Sequence, residues 1–471
     1  MKRSARLVTT MLLVLALGAL AVPFGLHFGP RVADVLAVKE PTPEPVIPSM
    51  QRPPEDLSVP TMVSRLDSAA PIPDPTVLES LLAEELVISG SGSFTGTVID
   101  AETGETLYNR DGEKLQLPAS NMKLLTATAV LTKLDPDKRL ITSVHQGSEP
   151  GSLLLRAGGD VLLGSGRSDA DGVIGHAGLA TLAAQTAKEL EAEGPVRIFL
   201  DDSLFAGPVL NAGWNAGDIE NGEIAPIYPL AINSSWIEEG TQAGPRSQDA
   251  AMDAAAVFRK ALAEAGIDVE EDIQRAPTPP DAPLLASVES ATVSELVSHM
   301  LLTSDNYLAE ALARVAAKAS GRPASFGGGL ETIVEALGAL ELPTEGMFLG
   351  DAAGLSPRTL VSPAQLAGLV QALLATEDRS LQRVLDGLPV AGLSGTLADR
   401  YNDGDAAAGA GLVRAKTGTL NAVTALTGHV VTAEGRLLAF SFIAGDLDGN
   451  TGQARAAADN AAAVLAACGC R

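Results

Sequence analysis

Pro118-Ala119-Ser120-Asn121-Met122-Lys123 opens a helix-forming stretch, Asn121–Leu134, whose apolar residues recur at helical spacing. Residues three apart share a helix face, so the Lys123 amine can reach the Ser120 hydroxyl. A serine hydroxyl is a weak nucleophile until a neighbouring base takes its proton. An amine held neutral by a desolvated, cation-rich pocket is such a base. The helix N-terminus also favours negative charge developing beside it. Taken alone, the same pattern is an ordinary N-cap serine. Its meaning depends on what accompanies it.

Two further short patterns do. Ser304-Asp305-Asn306, inside Leu301–Glu310, supplies a hydroxyl that can relay a proton to a leaving amine. It also supplies an amide that can fix both the substrate and the Lys123 amine. By itself it is a Ser/Asp cluster of the kind that starts helices. Lys416-Thr417-Gly418-Thr419 ends the apolar strand Leu412–Lys416. Lys416 adds positive field near the nucleophile, and the Thr417 and Thr419 hydroxyls suit a carboxylate. Gly418 lets a substrate backbone approach the strand edge and dock by strand addition. By itself this is a lysine and a turn. In this order the three make the S-x-x-K, S-x-N, K-T-G set of serine enzymes that react with penicillins.

Working outward, the chain of 471 residues is 46% apolar but only 3% aromatic, so Ala, Val and Leu must fill the core. A net charge of −25 without a Lys/Arg cluster beyond the first residues argues against a nucleic-acid partner. Five scattered histidines give no metal-ligand spacing, and no cofactor is expected. Cys468 and Cys470 are too few for a disulfide framework; a short-range disulfide, an intermolecular contact or a functionless tail all remain open. The basic head Lys2, Arg3 and Arg6 precedes an apolar run from Leu7 to Phe28, which reads as a signal peptide or membrane anchor over residues 1–38. The exported chain then continues through a proline-rich spacer, 39–75. The folded body is expected in two parts, 76–162 and 284–471, around an inserted subdomain at 163–283. Alternation predicts strands at Phe94–Asp100, Glu105–Tyr108, Leu153–Arg156, Val196–Leu200, Val423–Val431 and Leu437–Ala444. Helices are predicted near Thr76–Leu86, Gly178–Glu193, Ser290–Ser320, Ser362–Ala375 and Gln453–Ala467.

Beyond the three motifs, Leu117-Pro118-Ala119-Ser120, Ala157-Gly158-Gly159-Asp160, Asp201-Asp202-Ser203-Leu204-Phe205, Gly213-Trp214, Asp351-Ala352-Ala353-Gly354-Leu355-Ser356 and Gly395-Thr396-Leu397 resemble blocks of one family. It is the D-Ala-D-Ala carboxypeptidase/endopeptidases of the penicillin-binding protein 4 type, peptidase family S13. The resemblance spans roughly Phe94 to Ala444. It implies an α+β fold of the penicilloyl-serine transferase type: an antiparallel sheet flanked by helices, an all-helical lobe, and the site between them. It also implies that Ser120 attacks the D-Ala-D-Ala carbonyl of a peptidoglycan stem peptide, with Lys123 as base. The N–H groups of Ser120 and Thr419 would form the oxyanion hole. Lys416, Thr417 and Thr419 would hold the terminal carboxylate, Ser304 would carry the proton and Asn306 would orient. β-Lactams would be covalent inhibitors. The first two motifs lie 184 residues apart, which is short for members with two inserted domains. One insert, or two trimmed ones, is expected. Ala352-Ala353 stands where the family more usually has Gly-Ser.

Two rival readings fit the sequence less well. A class A β-lactamase shares the motifs, but it needs an E-x-x-L-N block that this chain lacks between its first and third motifs. A silent envelope scaffold has no use for two lysines, two serines and an asparagine in these patterns.

Overall fold

The computed structural model describes Met11, Leu66, residues 69–190 and residues 194–470. The export segment, Met11 apart, and the proline-rich stretch as far as residue 65 therefore lie outside the described residues. No helix among the described residues is long and apolar enough to cross a membrane.

The alternating stretches near both ends of the body form one antiparallel sheet. Its strands are β1 (Ser93–Asp100), β2 (Thr106–Arg110), β8 (Arg414–Leu420), β9 (Val423–Val431) and β10 (Leu437–Gly445), in the order β2-β1-β10-β9-β8. Nearly every residue of β1, β9 and β10 is buried, because both faces of the sheet are covered. On one face Leu78, Leu82 and Leu86 pack with Phe94, Phe440 and Phe442 and the alanines of the C-terminal helix. Each such leucine contributes roughly 1.5–3 kcal/mol by leaving water. Leu78 and Leu82 belong to α1 (Pro75–Glu85), which Asp74 caps by accepting from Thr76 N at 2.8 Å, with proline at the first helical position. Cys468 and Cys470 are joined in a disulfide and buried in this same core, and Asp74 N donates to Cys470 O at 2.8 Å.

The other face carries the helical lobe: α2 (Met122–Lys133), α5 (Val293–Thr303), α6 (Asn306–Ala319), α7 (Phe326–Ala339), α8 (Pro363–Ala375) and α9 (Arg379–Asp386). The helical pattern expected over Ser290–Ser320 is broken. Ser304 ends α5 in a left-handed conformation (φ 60°, ψ 35°), and Asp305 restarts the chain as the cap of α6. α7 escaped the sequence reading because it begins Phe326-Gly327-Gly328-Gly329. A Cβ on Gly328 would come within 2.1 Å of Pro323 O, so its bareness serves close packing.

A second sheet, in the order β6-β5-β4-β3-β7, is built from β3 (Arg139–Gln146), β4 (Ser152–Arg156), β5 (Val196–Asp201), β6 (Val269–Arg275) and β7 (Leu284–Thr292). Two helices, α3 (Leu179–Glu189) and α4 (Ala250–Glu264), pack into its core. This sheet takes in residues 139–156 and 284–292, which lie outside the 163–283 expected for the insert. The reason is that β3 pairs with β7 across the whole of that stretch, and such long-range pairing leaves no local signature.

Gly428 of β9 faces Ala415 of β8, and a Cβ there would lie 2.0 Å from Arg414 O and 2.6 Å from Ala415 Cα. Gly428→Ala should therefore push β8 away and destabilise the body by about 1–3 kcal/mol. The check is the urea midpoint; an unchanged midpoint would mean that the strand gap opens freely.

Candidate active site

The first motif is bent before it is helical. Ala119 sits at φ 47°, turning the chain sharply into Ser120 ahead of α2. Two glycines make that bend possible. A Cβ on Gly354 would meet Ala119 O at 1.9 Å, and one on Gly418 would come within 3.2 Å of Ser120 N. Asn121, fully buried, ties the same turn to the sheet through Nδ2 to Thr427 Oγ1 at 2.8 Å. Thus the nucleophile turn is wedged between the edge strand β8 and the Asp351–Ser356 loop.

Lys123 lies one helical turn on and is fully buried. Its Nζ is 3.0 Å from Ser120 Oγ, 2.6 Å from Asn306 Oδ1 and 2.7 Å from Ala353 O. The last two partners can only accept. A neutral amine has two N–H groups and one lone pair; with both N–H groups given to these oxygens, the lone pair faces the Ser120 hydroxyl. Burial pulls the Lys123 pKa down to about 8, opposed by the fields of Asp351, Asp305, Glu310 and Glu223. The neutral form is therefore within reach near neutral pH.

Lys416 is equally buried, but its surroundings differ. Its Nζ donates to Ser304 Oγ and to Thr417 O, each at 2.9 Å. Burial, then the positive charges of Lys123 and Arg400, push its pKa well below the usual lysine value. Thr417 shares a hydrogen bond with Thr396, the two hydroxyl oxygens 2.7 Å apart. Thr419, two residues along the same strand and exposed, falls on the same face as Thr417, opposite to Lys416 and Gly418. Asn306 Nδ2 donates to Glu223 O at 2.9 Å, leaving Oδ1 for Lys123. The structure thus forms two hydrogen-bonded groups, Ser120–Lys123–Asn306 and Ser304–Lys416, joined along the chain through Ser304-Asp305-Asn306, with Thr417, Gly418 and Thr419 along the strand edge.

The groups that brace these residues have no role that their sequence motifs disclose. Glu310 is buried on α6, and one carboxylate oxygen accepts from Ala352 N (2.7 Å) and Ala353 N (2.9 Å). Burial, with Asp351 nearby, raises its pKa to about 8. Asp351 accepts from Gly354, Leu355 and Ser356 N and from Trp214 Nε1. Burial raises its pKa as well, against those donors and Lys123. Thr126 Oγ1 donates to Ala352 O at 2.7 Å. These bonds aim Ala353 O at Lys123. The Asp351–Ser356 block was visible in the sequence, but it acts through main-chain groups, to which residue type is a poor guide. Thr396 likewise had only its resemblance to a family block to mark it.

Comparison with known proteins places this geometry in context. The model of the D-Ala-D-Ala carboxypeptidase 3 (S13) family matches residues 78–245 and 236–467. Carboxypeptidase DacB of Mycolicibacterium smegmatis is 35% identical over 97% of this chain and 96% of its own length. A D-alanyl-D-alanine carboxypeptidase of Actinomadura is 29% identical over 79% of this chain and 81% of its own. The crystal structure of penicillin-binding protein 4 from Haemophilus influenzae superposes with a TM-score of 0.66 at 21% identity, covering 81% of this chain and 97% of that one. The same protein has been crystallised with a β-lactam (TM-score 0.61, 21% identity, 81% and 97% covered). The penicilloyl-serine transferase architecture is thereby shared.

Glu310→Ala would orphan two buried N–H groups at the Ala352–Ala353 strap and should cost on the order of 2 kcal/mol or more. Glu310→Gln keeps an acceptor oxygen and should cost less. Chemical denaturation of both variants checks the ranking, and equal losses would remove the acceptor role.

Proposed function

We infer the reaction from this premise: the chain belongs to the D-Ala-D-Ala carboxypeptidase 3 (S13) family and is a serine-type D-alanyl-D-alanine carboxypeptidase. The observation that carries its mechanism is the Lys123 amine, held by two carbonyl oxygens with Ser120 as its third neighbour. Ser120 Oγ attacks the carbonyl of the penultimate D-alanine while its proton passes to Lys123. The Ser120 and Thr419 N–H groups hold the oxyanion at the junction of β8 and the nucleophile turn. The proton taken up by Lys123 is relayed through Ser304, bonded to Lys416, to the departing amine as the C–N bond breaks, so Ser304 regains its proton and Lys123 is again neutral for the water step. Thr417 and Thr419 with Lys416 receive the terminal carboxylate, and Asn306 orients. Water then attacks the ester and releases the shortened peptide and Ser120. Where the leaving amine belongs to a neighbouring stem peptide, the same steps amount to endopeptidase action.

A β-lactam presents a strained amide and a carboxylate to the same groups, and the β-lactam complex of the Haemophilus protein supports that mode here. The basic, apolar start of the sequence supports export to the cell envelope, where peptidoglycan peptides lie, with residues 1–38 as signal or membrane anchor.

Mass spectrometry after penicillin treatment should find the adduct on the peptide containing Ser120, and Ser120→Ala should carry none. An adduct elsewhere would sink the assignment. Because the base must be neutral, acylation should quicken about tenfold per pH unit below roughly 8 and level off above it. Lys123→Met should be slower by several orders of magnitude and lose that limb. A slow variant that kept the limb would place the base elsewhere.

A further inference from the structure

The insert contributes more than bulk beside the site. Asn233, Ser234 and Ser235 form three consecutive non-glycine residues in the left-handed region, at φ 43°, 52° and 69°. Such a run persists only where its surroundings over-determine it, and it tends to mark functional sites. Here Asn233 N and Ser234 N donate to Leu163 O (3.1 Å) and Val161 O (2.7 Å), while Ser247 N donates to Ser235 O (2.8 Å). The bend aims the Ser234 hydroxyl at Asp305, the middle residue of the second motif, whose Oδ2 accepts from Ser234 Oγ. The other oxygen of Asp305 caps α6, accepting from Leu308 N at 3.1 Å.

Behind this bend stands Arg246. It is buried, its guanidinium lies 3.6 Å over the Trp236 ring, its Nε donates to Gly222 O at 2.7 Å and its Nη1 donates to Ser234 O. Gly222 precedes Glu223, whose carbonyl accepts from Asn306 Nδ2. One planar cation therefore ties together the two insert segments that touch the second motif. A cleft of about 230 Å³ opens beside it, lined by Arg246, Glu223, Ser304 and Asn306.

We propose that Arg246 is a positioning residue for this reaction: through Ser234 and Asp305 it holds the Ser304 turn so that the hydroxyl stays on Lys416. Only a forked donor satisfies Gly222 O and Ser234 O at once while stacking on Trp236, so lysine is no substitute. Ser304 stands in a left-handed turn between two helices: Ser304 N and Asp305 N donate to Met300 O of α5 and Asp305 caps α6, and the Ser234 hydroxyl adds the contact that anchors this turn to the segment Arg246 holds. Displacing a proton-relay hydroxyl by about 1 Å costs up to roughly a hundredfold in rate.

This rests on the acyl-enzyme reading of Ser120, so labelling of the unaltered protein on Ser120 is the control that tests that reading separately. With the full chain and a fluorescent penicillin, Arg246→Ala and Arg246→Lys should each slow acylation at saturation roughly tenfold to a hundredfold. The dissociation constant of the complex before acylation should be unchanged. Ser234→Ala, which keeps the Cβ and removes only the hydroxyl, should slow acylation with no change in melting temperature. The double variant Arg246→Ala/Ser234→Ala should be no slower than Arg246→Ala, because both act through one chain of contacts. If Ser234→Ala acylates at the parent rate, if the two effects add in full, or if the loss lies in the dissociation constant, the proposal is overturned. Should Arg246→Ala fail to fold, Ser234→Ala and Arg246→Lys decide it.

Discussion

A single buried amine held by two carbonyl oxygens is the constraint on which this structure turns. Lys123 comes from α2, Asn306 from the start of α6 and Ala353 from a loop more than forty residues further on. A lysine removed from water is costly unless every polar contact it can make is made. Satisfying it therefore fixes three distant segments against each other. Each partner is in turn held by something else: Asn306 by Glu223 O, and the Ala352–Ala353 strap by Glu310 and Thr126. The asymmetry of the arrangement is chemical. Both outer partners accept only, so Ser120 is the neighbour left to give up a proton.

The two lysines show how environment divides labour between identical side chains. Both are completely buried, and burial lowers the pKa of each, with the charge of Lys123 lowering Lys416 further. Lys123, however, lies in the field of four carboxylates, whereas the remaining charge felt by Lys416 is the cationic Arg400. Titratable groups whose surroundings push them apart can take different parts in one reaction. Burial holds the Lys123 pKa down at about 8, with the amine 3.0 Å from Ser120 Oγ. Lys416, bonded to Ser304 and to the Thr417 carbonyl, has no carboxylate among the charges that shift it.

Much of this was legible in the sequence, and the reasons are specific. Val423–Val431 is rich in β-branched residues, and its strand has the bounds expected from the sequence. The helix after Ser120 announces itself by composition, and its lysine one turn on is a matter of helical geometry. The order of the three motifs exposes the acyl-transfer site because hydroxyl, amine and amide are needed there as side chains. What stayed hidden acts through backbone or across long separations. Nothing about Ala353 as a residue type says that its carbonyl receives a lysine. The left-handed Ser304 sits within an unbroken helical pattern, and only its contacts with Lys416 and the Asp305 cap reveal the turn. The cysteine pair left several outcomes open, because two thiols one residue apart do not declare whether they face each other or solvent.

The position of the insert raises a last question: how can so long an excursion separate two motifs that must meet within hydrogen-bonding distance? The answer lies where it leaves and returns. β3 and β7 are antiparallel neighbours, so the chain departs and comes back side by side. At that root Val293 N donates to Lys138 O at 2.8 Å and Ser294 N to Pro136 O at 2.9 Å, joining the end of one lobe segment to the start of the next. For the helical lobe, α2 is thus followed by α5 almost as if nothing intervened, and the entropic cost of the loop is set by this short closure and grows only slowly with length. The sheet's far strands β5 and β6 are free of the active site. Residues 221–246, which support Asn306 and Asp305, are not.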